Sequence, residues 1–259
     1  MLGLLPVPGG LIRFQQKQFG KKHLRCFSSW MQPVNLLSME TFEGSTDMLT
    51  ARAVPPVELR VVGGNRALDL CNSRSGPHDG GTDIDGLTRA DDVVPWAVHA
   101  GVITSGEAAA VSESDDPELA ESVHAQLSAL RDDAHAVFHA IAAGVEPPLR
   151  ALDDLRLADR RARDRARYVR HGDGYTSTWP VSDRTAIVDR VAHAASTLLD
   201  NGPLSRVRQC AGCSFLFLDE SKNGSRRWCS MDDCGREEKM RLYVERRRSR
   251  TKAAATTKQ

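Results

Sequence analysis

The chain has 259 residues, of which 41% are apolar, 27% charged and 5% aromatic; that is enough apolar material for one good-sized domain plus a small appended one. No run approaches the roughly 18–20 uninterrupted apolar residues of a membrane-spanning helix, so a soluble, cytoplasmic protein with no membrane partner is expected. The net charge of +1 hides a division: residues 51–203 hold 24 acidic against 16 basic side chains, whereas residues 204–252 hold 13 basic against seven acidic, and a basic terminal module on an acidic body favours a polyanion such as nucleic acid.

Residues 1–50 carry Arg13, Lys17, Lys21, Lys22 and Arg25, have no acidic residue before Glu40, and show no sustained apolar period. They read as a disordered arm or as an extension upstream of a true start at Met31, Met39 or Met48. An acid-poor start of this kind also mimics a transit peptide. A domain over 57–203 follows. Val57–Val62 reads as a strand, Gly63-Gly64-Asn65 as a turn, and Arg66–Cys71 as a second strand or a helix start. Ser73–Gly86, rich in Gly, Asp and Ser, is predicted to be an exposed loop. Thr88 with Asp91 offers a capping box for a helix that buries Val94, Val98 and Trp96 and ends near Gly101. Ser105–Ser112 is a short Ala-rich helix. Between Pro117 and Ala143, Leu119, Val123, Leu127, Leu130, Ala134, Val137, Phe138 and Ile141 recur at intervals of three and four, the mark of a long amphipathic helix. Gly144 and Pro147-Pro148 end it.

Leu149 to about Ala166 reads as another helix, with Leu152, Leu155 and Ala158 inward and alternating Asp and Arg outward as a solvated, ion-paired face. Tyr168–Trp179 reads as a hairpin about Gly172-Asp173-Gly174. Ser182–Asp200 is a last helix, and Asn201-Gly202-Pro203 stops it and marks a domain boundary. The fold class is mainly α with small β elements: a helical N-terminal domain followed by a small module over 204–250 and a disordered tail over 251–259.

Of six cysteines, Cys26 and Cys71 stand alone and read as an incidental thiol and a buried small residue. Cys210, Cys213, Cys229 and Cys234 form a C-x2-C-x15-C-x4-C pattern. Two such pairs supply the four thiolates of a closed tetrahedral site for one structural Zn2+, with each sulfur about 2.3 Å from the metal. Gly212 is read as permitting the tight turn of the first pair. Ser214–Leu218 is predicted to be a strand, Asn223-Gly224 a hairpin turn, Ser225–Trp228 the returning strand, and Arg236 to about Arg248 a helix, which makes a treble-clef-like finger. Paired disulfides, a redox-responsive thiolate site and a catalytic zinc are the competing readings. The last is disfavoured because four thiolates leave no open position.

Leu216-Phe-Leu-Asp219, Ser221-Lys-Asn-Gly-Ser-Arg-Arg-Trp-Cys-Ser-Met231 and Cys234-Gly235 resemble the CGNR zinc finger. Gly63-Gly64-Asn65-Arg66-Ala67-Leu68-Asp69-Leu70-Cys71-Asn72-Ser73 is similar to the opening motif of the ABATE domain that precedes that finger. The resemblance, over about residues 57–249, implies a stress-linked bacterial transcription regulator. One departure stands out: the Cys-Gly-Asn-Arg of the family is Cys234-Gly235-Arg236-Glu237 here.

Arg206, Arg208, Arg226, Arg227, Lys239, Arg241, Arg246, Arg247 and Arg250, with Arg248, surround the cysteines in sequence and are the candidate nucleic-acid contacts. Lys239, Tyr243 and Arg246 or Arg247 share a helical face that could track a phosphate backbone. The competing reading has them solubilise the module and pair with Glu237, Glu238 and Glu245, Glu237 to Arg241 in the favourable i, i+4 order. His135 and His139 have a chelating i, i+4 spacing, but Ala136 stands where a metalloprotease carries its base. No catalytic arrangement emerges, and no enzyme is expected. The expected function is DNA binding through the finger, with the helical domain sensing a small-molecule effector or forming a homodimer. The alternative is a zinc-stapled protein-interaction or RNA-binding module.

Overall fold

The computed structural model describes residues 51–78, 81–113 and 116–256, with side chains described as far as Ser249. The expectations for residues 1–50, and for the last three residues, lie outside the described residues. In chain order the elements are β1 (Arg52–Ala53), a 3-10 turn (Pro56–Glu58), α1 (Arg66–Cys71), β2 (Arg74–Ser75), β3 (Ile84–Asp85), a 3-10 turn (Ala90–Asp92) and α2 (Val93–His99). Then come α3 (Ser105–Glu113), α4 (Pro117–Ala143), α5 (Leu149–Arg165), the strands β4 (Arg167–His171) and β5 (Gly174–Thr178), and α6 (Thr185–Asn201). A 3-10 turn (Leu204–Arg206), β6 (Val207–Gln209), β7 (Leu216–Leu218) and α7 (Cys234–Thr256) complete the described residues. This is the mixed α+β class that the sequence predicts.

Helix α4 is the axis of the core. Pro117 sits in its first turn, and the Asp116 carboxylate accepts from the Glu118 and Leu119 amides at 2.9 and 3.4 Å, which satisfies donors that a helix start leaves open. Gly144, at φ +71°, closes it in the left-handed conformation that favours glycine. The predicted stripe is buried through Val123, Leu127, Leu130, Ala134, Val137 and Phe138, and it packs on α1, α5, α6 and β6. Leu155 of α5 and Ile187, Val191 and Leu198 of α6 fill the same core. Trp179, buried at the end of the hairpin, donates from Nε1 to the Ala162 carbonyl at 2.7 Å.

Several local expectations are corrected. Val57–Val62 forms no strand: the Pro55-Pro56 pair lacks amide donors, opens a 3-10 turn instead, and leaves Val57 and Val61 exposed. The expected loop over 73–86 supplies two strands, with β3 parallel to β1 and antiparallel to β2. Buried Arg131 of α4 draws it inward by gripping Asp85 at 2.8 and 3.0 Å. The cap before α2 uses Asp92, whose carboxylate accepts from the Thr88 and Arg89 amides at 3.0 and 2.9 Å, rather than Asp91. Asp159 of α5 turns inward, buried against Arg163 at 2.6 Å and His193 at 3.0 Å, although its helix presents most of its Asp and Arg residues to solvent. Residues 251–256 continue α7 as helix where a disordered tail is predicted.

Candidate metal centre and basic helix

Strands β6 and β7 pair antiparallel, Val207 with Leu218 and Gln209 with Leu216, and the Cys210–Cys213 knuckle joins them. The Cys210 amide donates to the Phe215 carbonyl at 2.8 Å, which folds the knuckle back on itself. The strand partner of Leu216–Leu218 therefore lies upstream. Ser225–Trp228 is not a strand; its backbone meets the knuckle through a bond from the Ala211 amide to the Arg227 carbonyl at 2.9 Å. The excursion between them is wound around Asp219, which is fully buried and accepts from the Ser221 and Arg226 amides at 2.9 and 3.0 Å. The Ser221 hydroxyl and these amides hold its carboxyl below the usual range. Gly224, at φ +59°, makes the turn that the sequence marked as Asn223-Gly224.

These bends bring Cys229 beside the knuckle and place Cys234 at the first turn of α7. The four Sγ atoms lie within 4.8 Å of one another, with Cys213 to Cys229 at 3.7 Å and Cys229 to Cys234 at 3.6 Å. A tetrahedron of about 2.3 Å metal–sulfur bonds has edges of about 3.8 Å, so the donor set fits one zinc-sized ion. The Cys210 sulfur also accepts from the Gly212 and Cys229 amides at 3.4 and 3.2 Å. Four sulfurs this close cannot all ionise without a cation between them. The Cys213 and Cys229 thiols and the two amides drive Cys210 down, whereas bonding to Cys210 pushes Cys213 up and Cys229 up to about 12. Gly212 is needed for closeness rather than for a left-handed turn: a Cβ there would stand 3.1 Å from the Cys234 Cβ. No disulfide joins the described cysteines, and Cys71 is a buried free thiol, as expected.

The arginines divide by role. Arg206 donates to the carbonyls of Asp219 and Ser221 at 3.0 and 2.7 Å. Arg226 lies 4.2 Å over the Phe217 ring and donates to the carbonyls of Trp228, Val62 and Cys229. Both hold the finger together. Arg227 stacks at 5.4 Å on Trp228, and Arg208 is exposed on β6.

At ~3.6 residues per turn, Arg236, Lys239, Tyr243, Arg246 and Arg247 fall on one stripe of α7, with Arg247 5.8 Å over the Tyr243 ring. Arg241 is on another face, bound to Glu238 at 2.6 and 2.7 Å and to Glu245 at 2.7 Å, so it pairs with these and not with Glu237. Lys239 and Arg246 are exposed, as is Arg248 off the stripe. The side chain of Arg250 lies outside the described residues. The departure from the family pattern thus adds a cation, Arg236, to the basic stripe, while Glu237 points off it.

The stacked rings of His135 and His139, with centroids 5.5 Å apart, gain no third ligand among the described residues. Among the described residues the four cysteines are the one group of three or more ligands.

Sequence reasoning missed how the finger is seated. Asn72 bonds both backbone groups of Leu216 at 2.8 Å, and Gly63 accepts from the Leu218 amide at 2.8 Å. Gly64, at φ +71°, lies against Leu218, where a Cβ would be 3.4 Å away. Asn65 caps α1 by accepting from the Ala67 amide, and buried Asp69, its carboxyl raised by that burial, holds the Gly63 amide at 2.8 Å. Arg60 adds an ion pair to Asp233 at 2.6 Å while lying 4.8 Å over the Phe215 ring. Leu216 itself belongs to the main core. The run from Gly63 to Ser73 is thus the finger's seat; its density of Gly, Asn and Asp was the available signal.

Comparison with protein families agrees with this division. Residues 206–247 match the CGNR zinc finger, and residues 64–202, more than half of the chain, match the ABATE family, described as "Putative stress-induced transcription regulator". No curated protein matches the chain. With its helical body, and the finger seated on that body's opening motif, this chain belongs to the ABATE family and carries a CGNR zinc finger at its C-terminal side.

Proposed function

We propose that this protein is a zinc-dependent DNA-binding transcription regulator of the bacterial cytoplasm, linked to stress, in which the ABATE domain senses a small molecule or mediates dimerisation. Cys210, Cys213, Cys229 and Cys234 would hold one Zn2+, whose part is structural: it neutralises the thiolates and fixes the start of α7. The observation that carries the reading is the segregation of charge on α7. Its basic stripe starts at the metal centre, while Glu238 and Glu245 are gathered with Arg241 on another face and Glu237 lies off the stripe. Cations so arranged can follow a line of phosphates. Four sulfur ligands leave no position for a substrate, which supports a non-enzymatic role.

The test is binding of the zinc-loaded full chain to duplex DNA across a range of salt concentrations. The reading expects affinity to fall steeply with salt, and loss of Lys239 and Arg246 to flatten that slope. Salt-insensitive or absent binding overturns it. A protein-docking role is the second reading, favoured by exposed Met240, Tyr243 and Val244 on the same helix. Genome-wide occupancy separates the two, since only the regulator enriches promoter sites.

A further inference from the structure

A cavity of about 550 Å³ opens where the helical body meets the finger. That size falls within the range of small-molecule sites. Its walls include Arg74, His78, Arg131, His135, His139 and Ser214, and none of the described lining residues is acidic. The carboxylates that balance its two arginines stand outside the lining: Asp85 grips Arg131, and Asp132 pairs with Arg74. Arg131 is buried, and its Nε has no hydrogen-bond partner among the described residues. Burial, then His139 and Arg74, push the His135 imidazolium below its usual range. Among the described lining residues the charged side chains are cationic and the acceptors are neutral hydroxyl, amide and imidazole atoms. An anion is therefore the ligand that would give the arginines, and the free Nε of Arg131 in particular, a partner inside the cavity.

The far wall belongs to the finger and is bolted in place. The Ser214 hydroxyl accepts from the Gly76 amide at 2.8 Å, the Ser214 amide donates to the Gly76 carbonyl at 3.0 Å, and Gln209 donates to the His78 carbonyl at 3.2 Å. Ser214 directly follows a cysteine of the metal centre. We propose that this cavity is an effector site for a small oxyanion, a carboxylate or phosphate compound, held between the histidines of α4 and the knuckle of the finger. It deepens the sensing part of the function proposed above and does not depend on DNA contact.

The experiment titrates the zinc-loaded full chain, in low-salt buffer, with inorganic phosphate and separately with citrate. Calorimetry and the histidine ring resonances are the readouts. Saturable binding that shifts His135 and His139 is expected. Affinity should fall tenfold or more in His139→Ala and, independently, in Arg74→Gln, with zinc content and helicity unchanged in each. Preference for phosphate or for citrate assigns the class. The absence of saturable binding by either anion overturns the proposal, as does binding that either variant leaves intact, which would place the ion elsewhere on the chain. DNA binding measured on the same samples keeps the two readings apart: anion binding without DNA binding sinks only the regulator, and the reverse sinks only this site.

Discussion

Asn72 treats Leu216 as a neighbouring strand would: its Nδ2 donates to the Leu216 carbonyl and its Oδ1 accepts from the Leu216 amide, both at 2.8 Å and both buried. One side chain at the end of a six-residue helix thereby replaces two rungs of a ladder and joins the body to the finger. Removing a partner from a buried backbone group costs about 1–3 kcal/mol. Asn72→Ala exposes two such groups to that penalty, so it should lower unfolding stability by about 3 kcal/mol in urea titrations. Asn72→Asp should rescue little, because the carboxylate would face the Leu216 carbonyl.

Arg226 and Lys239 should behave in opposite ways although both lie in the basic module. Arg226→Ala removes bonds to three carbonyls and a cation over Phe217, and should cost about 2 kcal/mol of stability. Lys239 is exposed, with no hydrogen bond or ion pair among the described residues that Lys239→Ala would remove. The substitution should leave stability within about 0.5 kcal/mol, while reducing the salt slope of DNA binding by about 1. Thermal melts beside salt-dependent binding would show the crossover.

Chelation should unfold more than the finger. Leu216 shares the main core, and Phe215 and Phe217 pack with the cysteines. Native mass spectrometry should find one zinc per chain. After its removal, helicity and the signal of Trp179, which lies in the helical body, should melt at a lower temperature, instead of the body keeping its original transition. Cys213→Ser should reproduce this shift in part.

Glu107 supplies a pH signature. It accepts from Arg190 at 2.6 and 3.1 Å and from the Thr104 amide at 2.8 Å. The bond from Arg190, ahead of that from Thr104, lowers its pKa to about 2 from 4.5. Because the folded value is depressed, the stabilisation is fully present above about pH 4.5 and disappears as the pH falls toward 2. Glu107→Gln should cost about 1 kcal/mol at neutral pH, a figure reduced for its partial exposure. The gap between variant and parent should close in denaturation curves taken between pH 4.5 and pH 2.

The sequence made the long elements legible because their signals are local. The span of α4 from Pro117 to Ala143 and its stop at Gly144 match the structure, and most of the predicted stripe is buried, although Leu119 and Ile141 are only half-buried and the Asp116 cap is not part of the prediction. The four cysteines converge as their spacing implies. What stayed hidden depends on partners distant in the chain. Val57–Val62 has the composition of a strand but pairs with no strand among the described residues, since Pro55-Pro56 opens a turn there. Ser73–Gly86 has the composition of a loop, yet Arg131, 46 residues beyond Asp85, draws it into the core. The strand partner of Leu216–Leu218 lies on the unexpected side of the knuckle, because a C-x2-C turn can itself serve as the loop of a hairpin. The basic residues were visible as a group, but only their contacts separate Arg206 and Arg226, which bind backbone carbonyls, from the stripe on α7.

Helix α7 leaves the metal centre directly at Cys234, and the centre is fastened to the body by Asn72, Gly63 and Arg60. No tether intervenes, so the direction of the helix is fixed relative to the helical body. In an assembly of two such chains, the separation of the two helices would be set as if by a rigid ruler. The pair would tolerate one distance between target sequences, and inserting half a helical turn of DNA between them would uncouple the two sites.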